Sequence, residues 1–344
     1  MELHELKKEL QNHFTDGLVI IVGCGLSSAE GIPGMSDLAQ HLKIEIPNNV
    51  KDDDLKLWDK ILEKLEKGET IEQALLEYQP TPELEKHIIE LTAGLILKEE
   101  TKIINEIFEG TRILRFTHLL NNILKPSTGG IPVVTTNYDR LLEIASEMAG
   151  LGADTLFAGQ HYSILNEKKS RMSFCRNVSK KGNHVYLSYT DRVVILKPHG
   201  SLDWYFYDNK PIRCPLPLNQ PRLIITPGIN KFRNGYDRPF DKHREKANTY
   251  IDSATRYLIL GYGFNDDHLE THLTPELKEG KPSLLLTHSL TANAKKLIKE
   301  CEGMITITAG EKDGAHVIRQ DKDLFFAGPN LWDLGVFIKE VLEP

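Results

Sequence analysis

The chain has 344 residues, 40% of them hydrophobic and 26% charged, and a net charge of -7. This is the composition of an ordinary globular protein whose length allows one large α/β core with an insertion or a small second lobe. It excludes a membrane-spanning segment, because no apolar run approaches bilayer thickness. It also argues against binding nucleic acid over the whole surface.

The first ten residues alternate charged and apolar side chains and lack the continuous apolar stretch of a secretory signal, so a cytoplasmic address is expected. Cys24, Cys175, Cys214 and Cys301 stand far apart with no Cys-x-x-Cys pair. Neither a disulfide framework nor a zinc site built on cysteine pairs is expected, and no other metal-ligand spacing recurs, so no metal is predicted.

In chain order, residues 18–22 form a continuous apolar strand that runs into Gly23-Cys24-Gly25-Leu26-Ser27-Ser28. A loop signature follows over 29–35, with Ser36-Asp37 ahead of a helix that starts at Leu38. From about 52 to 124 the pattern is helical. Leu55, Trp58, Ile61, Leu62 and Leu65 recur at helical spacing, as do Ile71, Ala74, Leu75 and Tyr78. Thr81-Pro82 opens another helix, and Ile103, Ile104, Ile107 and Phe108 begin the next part of the helical stretch. The stretch 45–130 is therefore read as a helical insertion.

Val133-Val134 ends a strand that stops at Thr135-Thr136-Asn137-Tyr138-Asp139, with helix-like sequence over 140–148. Residues 162–192 are polar and irregular. The basic cluster Lys168, Lys169, Arg171, Arg176, Lys180 and Lys181 lies here and reads as a solvated loop, with a partner or nucleic-acid contact as the sharper alternative. A strand at 193–196 enters Lys197-Pro198-His199-Gly200-Ser201. Residues 205–241 are rich in proline and aromatics, with a short strand near 223–225. Together these segments predict a small lobe over 160–250. Residues 257–260 form another strand, ending in Gly261-Tyr262-Gly263-Phe264-Asn265-Asp266-Asp267-His268. Strands at 283–287 and 304–308, a crossover helix at 291–299 and a closing helix at 331–342 complete the reading. The alternation predicts a single α/β domain over 1–344, with a Rossmann-like, mostly parallel sheet flanked by helices.

Four strands thus end in polar or glycine-rich sequence, and carboxyl ends of parallel strands lie along one edge, where open sheets bind ligands. Gly23 and Gly25 would let backbone amides approach a phosphate, with Ser27 or Ser28 adding donors; a tight turn explains the same residues. The segment has neither the lysine of a P-loop nor a third glycine at Ser28. Asn137 or Asp139 could face a ligand or cap the next helix. His199 has a near-neutral side chain at a strand end and reads as catalytic or as a hydrogen-bonded structural residue. Asp266 and Asp267 suit ribose hydroxyls or a helix cap.

Taken together, Gly23-Cys24-Gly25-Leu26-Ser27-Ser28 with Gly31-Ile32-Pro33, Thr136-Asn137-Tyr138-Asp139, Lys197-Pro198-His199-Gly200-Ser201 and Gly261-Tyr262-Gly263-Phe264 resemble the sirtuin-like superfamily. More narrowly, they resemble the bacterial sirtuin-like NADases of antiviral defence. The resemblance implies a domain that binds NAD as substrate and breaks its nicotinamide–ribose bond. It assigns Gly23, Gly25, Ser27 and Ser28 to the phosphate turn and Asp37 to the neighbourhood of the nicotinamide. Asn137 becomes the essential asparagine, beside Thr136, and His199 the catalytic histidine, followed by Gly200 and Ser201. Gly261 and Gly263, with Tyr262 between them, match the strand-end turn that borders the dinucleotide; beside that pattern, Asp266 is a candidate for a ribose hydroxyl and Asp139 for orienting Asn137 or the helix start.

The absent cysteine pairs, and Thr136 where deacylating sirtuins carry glutamine, point to hydrolysis rather than protein deacylation. A non-catalytic sensor of NAD or ADP-ribose is the competing non-enzyme reading, and a nuclease ranks lower. Because a free NADase would deplete its own cell, the resemblance further implies control by homo-oligomerisation or by a separately encoded partner, such as a hexameric translocase ATPase or an Argonaute-like protein. No membrane and no direct nucleic-acid contact are expected.

Overall fold

The computed structural model describes residues 2–123, 130–226 and 237–343. The last part of the expected insertion, at 124–129, and part of the expected lobe, at 227–236, lie outside the described residues.

Among the described residues the central sheet has nine strands. Their order is Lys322–Phe326, Ala315–Arg319, Met304–Ala309, Ser283–Leu286, Arg256–Leu260, Leu18–Val22, Gly130–Thr135, Arg192–Leu196 and Gly152–Asp154. All pairings are parallel except at one edge, where the 315–319 and 322–326 strands add an antiparallel hairpin. Sequence patterning finds six of the parallel strands because each is a run of mostly buried β-branched and leucine residues. The edge hairpin escapes it, since Lys322–Phe326 is largely exposed.

Alternate side chains of Leu18–Val22 enter two different cores. Ile20 and Val22 join the helices Leu3–Gln11, Arg115–Asn122 and Leu141–Met148 on one face. Val19 and Ile21 meet the helices Asp267–Lys278 and Ala292–Glu300 on the other. Burying one such aliphatic side chain contributes about 1.5–3 kcal/mol, so both faces hold the sheet firmly. The result is a doubly wound, Rossmann-like α/β fold. Among the described residues no helix is long and apolar enough to cross a membrane.

After Thr81 the helical stretch continues as a single 27-residue helix, Pro82–Phe108, which takes in Ile103, Ile104, Ile107 and Phe108. Thr81 caps it by accepting from the Leu84 amide, and Pro82 suits its first turn. Its first half joins the helices Met35–Asn49, Asp52–Glu66 and Ile71–Glu77 in a separate core around Trp58, Ile61 and Leu75. Its second half, through Ile96, Ile103 and Ile107, belongs to the core beside the sheet.

The segment read as irregular over 162–192 is ordered. It holds a short helix, Glu167–Ser173, and a hairpin of Cys175–Lys181 with His184–Tyr189. The Gly182-Asn183 tip, with Gly182 at φ +61°, provides its two-residue turn. A five-stranded antiparallel sheet lies nearby, in the order Arg222–Ile224, Gly200–Tyr207, Lys210–Arg213, Ser163–Leu165 and Phe157–Ala158. Its central turn, Asp208-Asn209, has both residues at positive φ, as a tight hairpin turn requires.

Candidate functional site

The strand register brings the polar strand ends together. Val22 pairs with Thr135 on one side and Leu260 on the other; Leu260 pairs with Leu286, and Val134 with Leu196. The next residues along each strand, Gly23, Thr136, Gly261, Thr287 and Lys197, therefore emerge at one edge. A cavity of about 670 Å³ opens there, a size suited to a ligand as large as a dinucleotide.

Gly25, Ser27, Thr136, Asn137, Asp139, His199, Gly261, Tyr262, Gly263 and Asp266 all line this cavity. Gly23, Ser28, Asp37, Gly200 and Ser201 lie outside its wall. Asp37 is exposed in the first turn of Met35–Asn49, where its carboxylate accepts from the Gly34 amide at 3.0 Å. Ser201 is fully buried, with its hydroxyl against the Tyr138 carbonyl. Gly200, at φ +91°, turns the chain where a Cβ would sit 2.1 Å from the Leu223 carbonyl oxygen.

Residues 23–28 do not form an open turn. A helix, Cys24–Ala29, starts directly after the strand. Gly23 and Gly25 face Gly261 backbone to backbone: a Cβ on Gly23 would lie 2.4 Å from the Gly261 oxygen, and one on Gly25 would lie 2.7 Å from the Gly261 Cα. Their amides donate to Leu260 O at 2.9 Å and Gly261 O at 3.0 Å. Both glycines are thus demanded by the contact between neighbouring strand ends, and these two N–H groups are already used within the protein.

A continuous chain of bonds forms the cavity floor. Asn137 donates through Nδ2 to Gly23 O at 2.9 Å and to Ser27 Oγ at 2.7 Å; Ser27 Oγ donates to Asp139 Oδ2 at 2.7 Å. The other Asp139 oxygen accepts from the Leu141 amide at the start of Leu141–Met148. Burial pushes the Asp139 carboxyl above its usual range, against the opposing pull of Lys197. Asn137 is 9% exposed, and its Oδ1 accepts no hydrogen bond among the described residues, so one acceptor remains open.

Lys197 lies beneath this floor. It is 1% exposed, pairs with Glu143 at 2.8 Å and donates to the Asp139 carbonyl. Its own amide donates to His243 Nδ1 at 3.1 Å. Burial first, then the Lys197 charge, depresses His243 to about 3, so that imidazole is neutral.

Opposite the floor, His199 Nε2 lies 2.5 Å from Asp266 Oδ2. Asp266 Oδ1 accepts from the His268 and Leu269 amides at 3.0 Å each, capping Asp267–Lys278. Tyr138 spans the gap to the small sheet, donating to Ile225 O at 2.7 Å. Burial, then the nearby Glu72 and Asp266 charges, raises its phenol. Thr226, 2% exposed, also lines the cavity, and its hydroxyl finds no partner among the described residues.

Sequence reasoning missed the residues brought in from far along the chain. Glu72 and Leu76 come from the helical stretch, and Arg115 ties Asp333 at 3.1 Å beside Trp332, whose ring meets His288 edge-on at 4.8 Å. No local motif marks them, because only tertiary packing places them at the strand ends.

Residues 132–296 match the family model described as a SIR2-like domain. That span contains Asn137, Asp139, His199 and Asp266, while the Gly23–Gly25 segment precedes it. No curated protein matches the chain. Among solved structures, the chain is similar to one titled "Structural Basis for the Mechanism and Regulation of Sir2 Enzymes", at 12% identity and TM-score 0.41, over 99% of this chain and 98% of that one. It is also similar to a Sir2 variant with deacetylated p53 peptide and 3'-O-acetyl ADP ribose, at 13% identity and TM-score 0.40, over 100% and 98%.

Proposed function

We propose that this protein hydrolyses NAD to ADP-ribose and nicotinamide. The observation that carries the reading is the convergence of Asn137, with its open Oδ1, and His199 on one cavity at the carboxyl edge of a parallel sheet. The SIR2-like match over residues 132–296 supports the choice of NAD. The unpartnered Thr226 hydroxyl suits a ligand rich in ribose hydroxyls.

In the reaction the C1′–N bond breaks and its electron pair leaves on the nicotinamide nitrogen. Water supplies the oxygen of the new C1′–O bond, and its proton passes to His199 and then to solvent. Nicotinamide departs from a cationic ring, so no acid must protonate it. The transition state has ribose-cation character, as in glycoside cleavage. The site's tasks are to hold the ring, exclude bulk water and place one water molecule. Asn137 Oδ1 holds that water or a ribose hydroxyl, and His199 acts as general base, a role that contributes roughly a hundredfold or more. Asp139 holds the helix start and, through Ser27, the Asn137 side chain.

In this reading the protein is an NAD-depleting effector of anti-phage defence that acts on the cytoplasmic pool. Its activity is governed by homo-oligomerisation or by a separately encoded partner, such as a hexameric translocase ATPase or an Argonaute-like protein. The test is to incubate the purified protein with NAD, alone and with the product of its neighbouring gene, and follow free nicotinamide. Release in either condition, cut about 10²- to 10³-fold by Asn137→Ala, is expected. No release in both sinks the reading, and release only when an acyl-lysine peptide is added makes the protein a deacylase instead.

A further inference from the structure

We propose that Asp266 is the positioning residue for His199, fixing which ring nitrogen faces the substrate. This rests on the hydrolase reading for its kinetic consequence but not for its geometry. The 2.5 Å contact joins Asp266 Oδ2 to Nε2 of a ring that is 18% exposed. An ionised carboxylate only accepts, so Nε2 carries the proton, and in the neutral ring Nδ1 is left with the lone pair. Nδ1 has no hydrogen-bond partner among the described residues, and His199 lines the cavity.

The carboxylate itself cannot swing. Its other oxygen is held by two helix amides, and the Asp266 amide donates to Glu270 Oε1 at 2.9 Å. The histidine backbone is equally fixed, because its carbonyl accepts from the Ile225 amide at 2.9 Å and Gly200 follows in a conformation that admits no side chain. One aspartate therefore starts a helix and orients an imidazole 67 positions earlier in the chain. The two jobs use different oxygens, which makes them separable.

Asp266→Asn separates them. Asparagine caps a helix as well as aspartate does, so thermal stability should hold. Its amide presents donors toward Nε2, which drives the proton to Nδ1 and removes the base. The expected loss is about 10²- to 10⁴-fold in kcat, with KM changed little, as for other imidazoles held in the wrong tautomer. Asp266→Ser, which also caps, should lose less, because it leaves the tautomer unconstrained. A cap with no positioning role predicts the wild-type rate for both variants.

The second readout is the ¹⁵N spectrum of the His199 ring, assigned with His199→Gln. Wild type should show the Nε2–H tautomer and Asp266→Asn the Nδ1–H tautomer. An unchanged tautomer overturns the proposal whatever the rates. If the wild-type protein releases no nicotinamide under any condition, the hydrolase reading falls while the spectrum still decides the pairing.

Discussion

Beneath the cavity, Asn137, Ser27, Asp139 and Lys197 are buried and bonded to one another and to the backbone of two strand ends. Above it, the helical stretch contributes Leu76, which is 59% exposed, and Glu72, also on the exposed side of its helix. The floor is a network in which every side chain is bonded to another group, with only Asn137 Oδ1 turned free among the atoms described above, whereas the roof carries side chains such as Leu76 that stand largely in solvent. The contrast locates the chemistry, since reacting groups need geometry fixed to within fractions of an ångström and a cover needs only to exclude water.

The comparison can be broken from either side. Of the floor and roof variants, Asn137→Ala should have the largest effect, a loss of about 10²- to 10³-fold in nicotinamide release, because it removes the acceptor that the floor leaves open to the cavity. Asp139→Ala should act more on the fold, lowering stability by about 1–3 kcal/mol as the Ser27 hydroxyl and Leu141 amide lose their acceptor. Comparing both variants by thermal melting and by rate tests the division of labour, and an equal loss of rate at equal stability removes it.

Gly25→Ala should destabilise by about 1–3 kcal/mol, because the added carbon meets the Gly261 backbone, which cannot yield as a side chain can. Urea unfolding reads this directly, and a neutral result means the strand ends separate more easily than their bonds suggest.

His243 supplies a pH test. Its folded value, about 3, lies below the ordinary 6.5, so the unfolded chain binds more protons between those limits. Stability from keeping it neutral is complete above about 6.5 and is lost as pH falls toward 3, by at most about 1.4 kcal/mol per pH unit. His243→Gln should flatten the acid side of the stability curve; an unchanged slope means other groups govern it. Leu76→Ala, the smallest effect, should cost under about 1 kcal/mol and raise KM a few-fold with kcat kept. A collapse of kcat in that variant makes the roof part of the chemistry.

The sheet was legible because a buried parallel strand is written as a continuous apolar run, and its ending in Thr136-Asn137 or Lys197-Pro198-His199 is visible in one line of sequence. The hairpins were less so, since their strands are exposed and carry no apolar run; Gly182-Asn183 and Asp208-Asn209 were the available signals. Gly23 and Gly25 were legible as close-approach glycines, but not the partner they approach, which is another glycine more than two hundred positions away. The Asp266 side chain was readable as a cap and also as a ligand residue. Its pairing with His199 was not, because no periodicity connects the ends of two different strands.

The helix Pro82–Phe108 has a consequence of its own. At 1.5 Å per residue it is a rod about 40 Å long, clad at one end by the Trp58 core and rooted at the other beside the sheet. Leu95 and Ile96, near its midpoint, touch the cavity. A rod shared in this way splices the two cores together along the wall of the cavity, so the helical stretch and the sheet are not independent supports of the site.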